Sequence, residues 1–312
     1  MMKLATNGAR LEIPGKRVFK KYYWYYLMLI LPIVYFILFK YTPMAGMAIA
    51  FRKYVPGGSP FGEEWVGLRY FKMFLTDETF WRCFKNTICI SGLTLLFGFP
   101  IPIIFALLLN EVRSVKFKKL VQTTSYLPHF ISLVVIAGMI NQLLSPSGGV
   151  VNSILNYFGK ESIHFLARPE WFRTIYVTSD LWQNLGWNSI LYIAALSNVN
   201  VELYDAAKVD GANRFQQIKS VTIPGIMPTI VITLILSIGR IMSVGYEKIL
   251  LLYNELTYET ADVISTYVYR IGLGNNNYSF ATAVGMFEAV IGVVLVSSAN
   301  WFAKKYSEIS LW

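Results

Sequence analysis

One stretch of this chain gathers side chains that could bind a polar solute. Asp180, Trp182, Gln183, Asn184, Trp187, Asn188 and Ser189 interrupt an otherwise apolar run. At about 100° per residue, spacing of i, i+3, i+4 and i+7 puts Asp180, Gln183, Asn184 and Trp187 on one helix face. A carboxylate and amides exchange hydrogen bonds with hydroxyl groups, Asn188 adds a further amide, and an indole face covers C–H surface. That set suits a carbohydrate. The alternative is that the same groups hydrogen-bond neighbouring helices inside a bundle. Arg240 and Glu288 are the lone charges of two other apolar runs. Such charges are expensive unless paired or facing a water-filled cavity, so both are candidates for a solute pathway. A mutual Arg240–Glu288 pair would also relieve the expense.

Catalytic signatures are missing. There is no G-x-x-x-x-G-K-[ST], no H-E-x-x-H and no G-x-S-x-G, so neither ATP binding nor those hydrolytic chemistries is expected of this chain. His129 and His164 lie in different regions, and a metal site needs several ligands. His129 is therefore expected to be a packed or hydrogen-bonded histidine. Cys83 and Cys89 give neither a disulfide framework nor metal spacing. A membrane enzyme acting on lipid or glycan would need a convergent acid–base or nucleophile set. The scattered Asp180, Arg240 and Glu288 do not form one in sequence.

The elements that must position these residues are membrane spans. The chain has 312 residues, 55% hydrophobic and only 15% charged, against about 25% charged in soluble domains. Its net charge of +10 is read as orientation charge and attraction to anionic lipid, not nucleic-acid binding. Windows with at most one charged residue run over 22–39, 86–110, 120–159, 174–201, 220–246 and 271–303. A crossing needs about 20 apolar residues. One per window predicts six spans, near 23–40, 87–110, 121–144, 174–197, 225–246 and 280–303. No small-residue cleavage site follows the first, which is read as a retained span. With the N-terminus inside, segments 1–22, 111–120, 198–224 and 304–312 are cytoplasmic and hold 15 of the 28 basic residues. This favours both termini inside.

Within this frame, 41–86 is an extracytoplasmic segment with a Pro56–Pro60 turn cluster and aromatic pieces at 65–71 and 74–84, read as an interfacial belt or a docking rim. Pro100 and Pro102 predict a kink in the second span. Segment 247–279 is extracytoplasmic, with a re-entrant or surface helix around Ala261–Arg270.

Segment 202–227 is polar and helical between two spans. Asn198 or Asn200 can cap its start, and Glu202 and Asp205 suit the first turns. Gly211 should interrupt it. A second turn, Arg214–Val221, should bury Phe215 and Ile218 before Pro224 stops it. An amphipathic connector lying on lipid is the plain reading of such a segment.

Asp205-Ala206-Ala207, then Gly211 after three residues, then Val221-Thr222-Ile223-Pro224 after nine more, resembles the E-A-A-x-x-x-G…I-x-L-P pattern of the permease subunits of ATP-driven, binding-protein-dependent importers. Asp replaces the family's Glu, and Val221 and Ile223 replace Ile and Leu. Ser125–Ser132, Leu144–Gly149, Glu259–Tyr267 and Ser310–Trp312 look like the branch serving oligosaccharides and polysaccharide fragments. The likeness covers about residues 20 to 312. It implies an all-α integral membrane protein of six transmembrane helices, with a permease domain over 23–303 and a cytoplasmic coupling helix between spans 4 and 5. Asp205, Ala206, Ala207, Gly211, Arg214 and Pro224 would couple to the ATPase. It implies as partners a second homologous permease, a cytosolic ATPase dimer and an extracytoplasmic solute-binding protein, with a carbohydrate as cargo. ATP and Mg would be bound by the ATPase, with no cofactor on this chain. A self-sufficient secondary transporter or channel is the competing class. It would show discontinuous helices in paired halves, which are not visible.

Overall fold

The computed structural model describes residues 15–307 and 309–311, with side chains from residue 22 onward. Lys3, Arg10 and Trp312 lie outside the described residues. Helix α1 (Gly15–Phe36) continues through a π turn at Ile37–Tyr41, α2 (Thr42–Ala45) and a 3-10 turn at Gly46–Phe51. None of the most apolar window of this 30-residue stretch, Tyr22–Phe51, is buried against its own chain. A short ribbon follows. Strands β1 (Arg52–Lys53) and β2 (Glu64–Trp65) pair antiparallel, Arg52 opposite Trp65, across the Pro56–Pro60 turns.

Helix α3 (Arg69–Leu75) leads into α4 (Glu78–Gly98) and α5 (Pro100–Glu111). Asp77 caps α4 by accepting from the Thr79 N–H at 2.8 Å. The helix that carries the expected second span therefore starts well before residue 87. Pro100 and Pro102 sit in the first turn of α5, where a missing N–H matters least. The expected kink is only a break at Phe99, and Glu78–Glu111 runs on as one 34-residue helix. The aromatic segment is also more than a belt. Phe74 and Phe80 are fully buried and pack with Phe280 and Phe287 of the last helix. Large ring areas favour core burial when a helix folds back over them.

The segment expected as the third span is not straight. Helix α6 (Val115–Tyr126) and a 3-10 turn at Leu127–Phe130 meet α7 (Leu133–Leu143) at 98°. Pro128 starts the tight turn, and Ser132 opens a new helix by accepting from the Val135 N–H. After α8 (Val150–Tyr157) comes α9 (Pro169–Ser197), whose 29 residues extend about 43 Å. It is long enough to cross a membrane, but its polar stretch keeps it out of the most apolar class. Four helices meet that standard among the described residues: Tyr22–Phe51, Glu78–Glu111, Arg214–Gly239 and Tyr278–Ser307.

Helices α10 (Val201–Val209) and α11 (Arg214–Gln217) lead through a π turn at Ile218–Thr222 into α12 (Ile223–Gly239). Pro224 does not stop the helix as expected. The wider π turn, closed by the Ile223 N–H on the Ile218 carbonyl, carries the chain past it. Helix α12 ends at Gly239, earlier than the expected 246, so Arg240 caps its C-terminus instead of lying mid-helix.

Helices α13 (Tyr246–Leu252), α14 (Tyr258–Ala261) and α15 (Ile264–Tyr269) precede α16 (Tyr278–Ser307). They form a packed cover, not a surface helix: Val263, Ile264 and Tyr267 are buried. Asp262 ties this cover down. It is 0% exposed and accepts from Arg270 Nη2 at 2.6 Å and Thr266 Oγ1 at 2.8 Å. Burial works against the Arg270 charge, but the hydrogen bonds and charge of Asp262 more than offset it, and its pKa lies above the ordinary arginine value. Asn86 on α4 donates to the carbonyls of Glu259 and Asp262 at 2.9 and 3.0 Å.

Candidate functional site

Helix α9 carries the polar stretch, and α6 lies directly against it. A Cβ at Gly186 would sit 2.2 Å from the Ser125 carbonyl oxygen, so only glycine permits this approach. Trp187, next along, then stacks on His129 at 4.3 Å between ring centres with the planes 6° apart. His129 Nδ1 is 3.0 Å from Asn184 Oδ1, and Asn184 Nδ2 donates to Asp180 Oδ1 at 3.0 Å. His129 is thus the hydrogen-bonded histidine expected from the sequence.

A cavity of about 590 Å³ opens between α9, α12 and the C-terminal half of α4. Asp180, Trp187 and Asn188 line it from α9, and Arg240 lines it from the end of α12. The helix C-terminus favours a cation there. The Arg240 guanidinium has no hydrogen bond or ion pair among the described residues. Hydroxyl groups complete the wall. Ser91 donates to the Ile241 carbonyl, Tyr192 and Thr233 share a hydrogen bond of 3.0 Å, and Ser237 donates to the Thr233 carbonyl at 2.8 Å. Thr94 Oγ1 is buried without a partner among the described residues. Amide, hydroxyls, ring faces and one free guanidinium are groups that meet a sugar's hydroxyls, C–H surface and carboxylates.

The other expected pathway residues fall elsewhere. Gln183 is buried, with Oε1 unpartnered among the described residues, and Asn184 stands behind Asp180. Glu288 lines a separate cavity of about 560 Å³ between α12 and α16, with Gly239, Gly285 and Gly292. No ion pair joins it to Arg240 among the described residues. Lys248 was missed. It is 3% exposed on α13, with Nζ 3.8 Å from Asp180 Oδ1 and 5.4 Å from the Tyr176 ring centre. Its place directly before the run Ile249-Leu250-Leu251-Leu252 was the available signal.

The second candidate region is the α10–α11 tip. Asn200, not Asn198, caps α10 through a 3.0 Å bond from the Glu202 N–H. Gly211 adopts φ +76°, a left-handed turn that favours glycine. Asn213 and Gln216 then form a reciprocal capping box at 2.7 and 3.0 Å. Asp205 pairs with Lys208 at 2.9 Å, and Ala206 is exposed beside it. Phe215, expected to be buried, is 75% exposed. A four-residue helix at the surface leaves the ring uncovered by the described residues. Two contacts tie the tip to the long helices. Tyr204 and Thr222 share a hydrogen bond of 3.0 Å, and Arg214 lies 3.6 Å from Glu111 at the end of α5.

Comparison with known proteins identifies the family. The chain is 45% identical, over 92% of its length and 89% of the relative's, to the polygalacturonan/rhamnogalacturonan transport system permease protein YteP of Bacillus subtilis. It is 32% identical to the arabinooligosaccharides transport system permease protein AraP of Halalkalibacterium halodurans, over 82% of this chain and 79% of that one. The crystal structure of a bacterial ABC transporter involved in import of the acidic polysaccharide alginate contains a chain 46% identical, with TM-score 0.87 over 95% of this chain and all of that one. A second structure of such a transporter, in complex with an alginate pentasaccharide-bound periplasmic protein, gives TM-score 0.87 at 45% identity, over 95% of this chain and 99% of that one. Residues 98–308 match the family described as binding-protein-dependent transport system inner membrane component, and this chain belongs to that family of multi-pass membrane permeases.

Proposed function

We propose that this chain is the permease subunit of an importer for acidic oligosaccharides, with the cavity between α4, α9 and α12 as part of the pathway. One observation carries the reading: Asp180, Trp187, Asn188 and Arg240, from two separate segments, meet on a single cavity lined with hydroxyl groups. The unpaired Arg240 suits a uronate carboxylate, and the acidic polymers named for the similar alginate and polygalacturonan transporters support that choice. The chain crosses the cell membrane six times, counting the bent α6–α7 pair and the polar α9, with both termini cytoplasmic. It works beside a second homologous permease, and the periplasmic protein seen with the alginate transporter supports a solute-binding protein as donor. ATP and Mg reside on a separate ATPase dimer.

The α10–α11 tip is the part that the ATPase moves. Its exposed Phe215, Ala206 and Val209 offer apolar contact, and the Gly211 turn sets its shape. Motion of the tip reaches α12 through Tyr204–Thr222 and α5 through Arg214–Glu111. Helix α12 is capped by Arg240 and α5 continues α4, so both routes lead to the cavity walls. The test is uptake of a labelled oligogalacturonate by cells making tagged chains. Gly211→Arg and Asp205→Lys abolish uptake while the protein remains inserted, and an ATPase and a second permease co-purify with the wild type. Normal uptake in both variants, or ion-driven uptake by the chain alone, refutes the reading.

A further inference from the structure

Two side chains that can carry opposite charges line the cavity, Asp180 and Arg240. Taken alone they would cancel, and a sugar carboxylate would gain little there. The residues behind the wall change this balance. Lys248 does not line the cavity, yet its Nζ lies 3.8 Å from Asp180 Oδ1. That is ion-pair range but too long for a hydrogen bond. The buried ammonium has no hydrogen-bond partner among the described residues, so its charge is met by Asp180 and the Tyr176 ring face. An uncompensated buried ammonium is strongly unfavourable, which commits Asp180 to Lys248. Asn184 holds the same carboxylate oxygen, and His129 holds Asn184. Arg240 has no such partner among the described residues. The wall therefore presents a neutralised carboxylate and one uncompensated cation.

We propose that Lys248 is a specificity-determining residue that acts from behind the cavity wall. By neutralising Asp180 it leaves Arg240 as the charge that an acidic sugar meets. This rests on the oligosaccharide reading above. It assigns Lys248 a role in selecting charge, not in touching cargo. Without Lys248, Asp180 faces the cavity as a bare carboxylate and opposes the charge that Arg240 provides.

The test uses the assembled complex of both permeases and the ATPase in lipid nanodiscs, without the solute-binding protein. Equilibrium binding of a short oligogalacturonate is compared with that of its full methyl ester, which keeps the sugar skeleton and removes the charge. Wild type prefers the acid. Lys248→Met weakens acid binding by about tenfold, the effect of an unmasked charge several ångströms away, and leaves ester binding within about twofold. Lys248→Arg keeps the preference. Asp180→Asn combined with Lys248→Met restores acid binding to within about threefold of wild type, because no charge is left to mask. Equal weakening of acid and ester in Lys248→Met, or no recovery in the double variant, overturns the inference and marks Lys248 as structural. A wild-type complex that binds neither form overturns the oligosaccharide reading itself.

Discussion

Asp262→Asn isolates the charge that holds the α14–α15 part of the cover together beside α4. The wild-type carboxylate is fully buried and takes bonds from Arg270 at 2.6 and 3.3 Å, Thr266 at 2.8 Å and Cys83 at 3.3 Å, with Arg82 at 3.9 Å. The amide keeps the shape and one acceptor oxygen but leaves Arg270 without its counter-charge. Removing one partner of a buried pair costs about 3–5 kcal/mol. The Arg270 side chain is 34% exposed, so water recovers part of its solvation and the expected loss is about 2–3 kcal/mol. At roughly 2–4 °C per kcal/mol for a chain of this size or slightly smaller, the unfolding midpoint falls by about 5–10 °C. Tryptophan fluorescence of the solubilised complex during heating measures it. A cycle with Arg270→Met should give a coupling of at least about 1 kcal/mol. A shift under about 2 °C, or additive single effects, would refute the claim that this pair holds the cover together.

Two further outcomes test the site. Gly186→Ala should lower stability by about 1–3 kcal/mol, because the new Cβ meets backbone atoms of Ser125 and α6 must move away. The displaced His129–Trp187 stack should show as a change in Trp187 emission, and an unchanged midpoint and spectrum would contradict the close approach. Phe215→Ala should change stability by less than about 0.5 kcal/mol, since the ring is already exposed. The same variant should reduce transport-linked ATP hydrolysis by at least about tenfold if the ring is a central docking contact, so full activity would remove it from the interface.

The sequence exposed the polar face of α9 because a carboxylate and three amides in an apolar run have few explanations. It exposed the tip because the Asp205–Gly211 spacing is specific, and the φ of +76° at Gly211 gives that spacing a backbone reason. It did not show which face residues reach the cavity. Gln183 and Asn184 share helical spacing with Asp180, but α6 covers one flank through Gly186 and directs Asn184 toward His129. Lys248 escaped notice because a lysine just beyond an apolar window looks like a solvated loop charge. Only tertiary packing of α13 carries it under Asp180. The bend in the third span was hidden for a related reason: charge-free windows report length and polarity, while a capping serine such as Ser132 decides direction.

Arg240 and Glu288 show why lone charges in apolar runs need separate accounts. On sequence alone they are equivalent, each the single charge of its window, and pairing them is the economical solution. In the fold, Arg240 sits at a helix end beside hydroxyl groups and opens onto the α9 cavity. Glu288 sits mid-helix among glycines in the other cavity, with Oε1 buried and unpartnered among the described residues. A helix terminus and a polar wall stabilise the first charge where it can meet cargo. Nothing comparable stabilises the second, so the same sequence signal puts one residue on the α9 cavity, where we propose that charge is recognised, and the other on the cavity between α12 and α16.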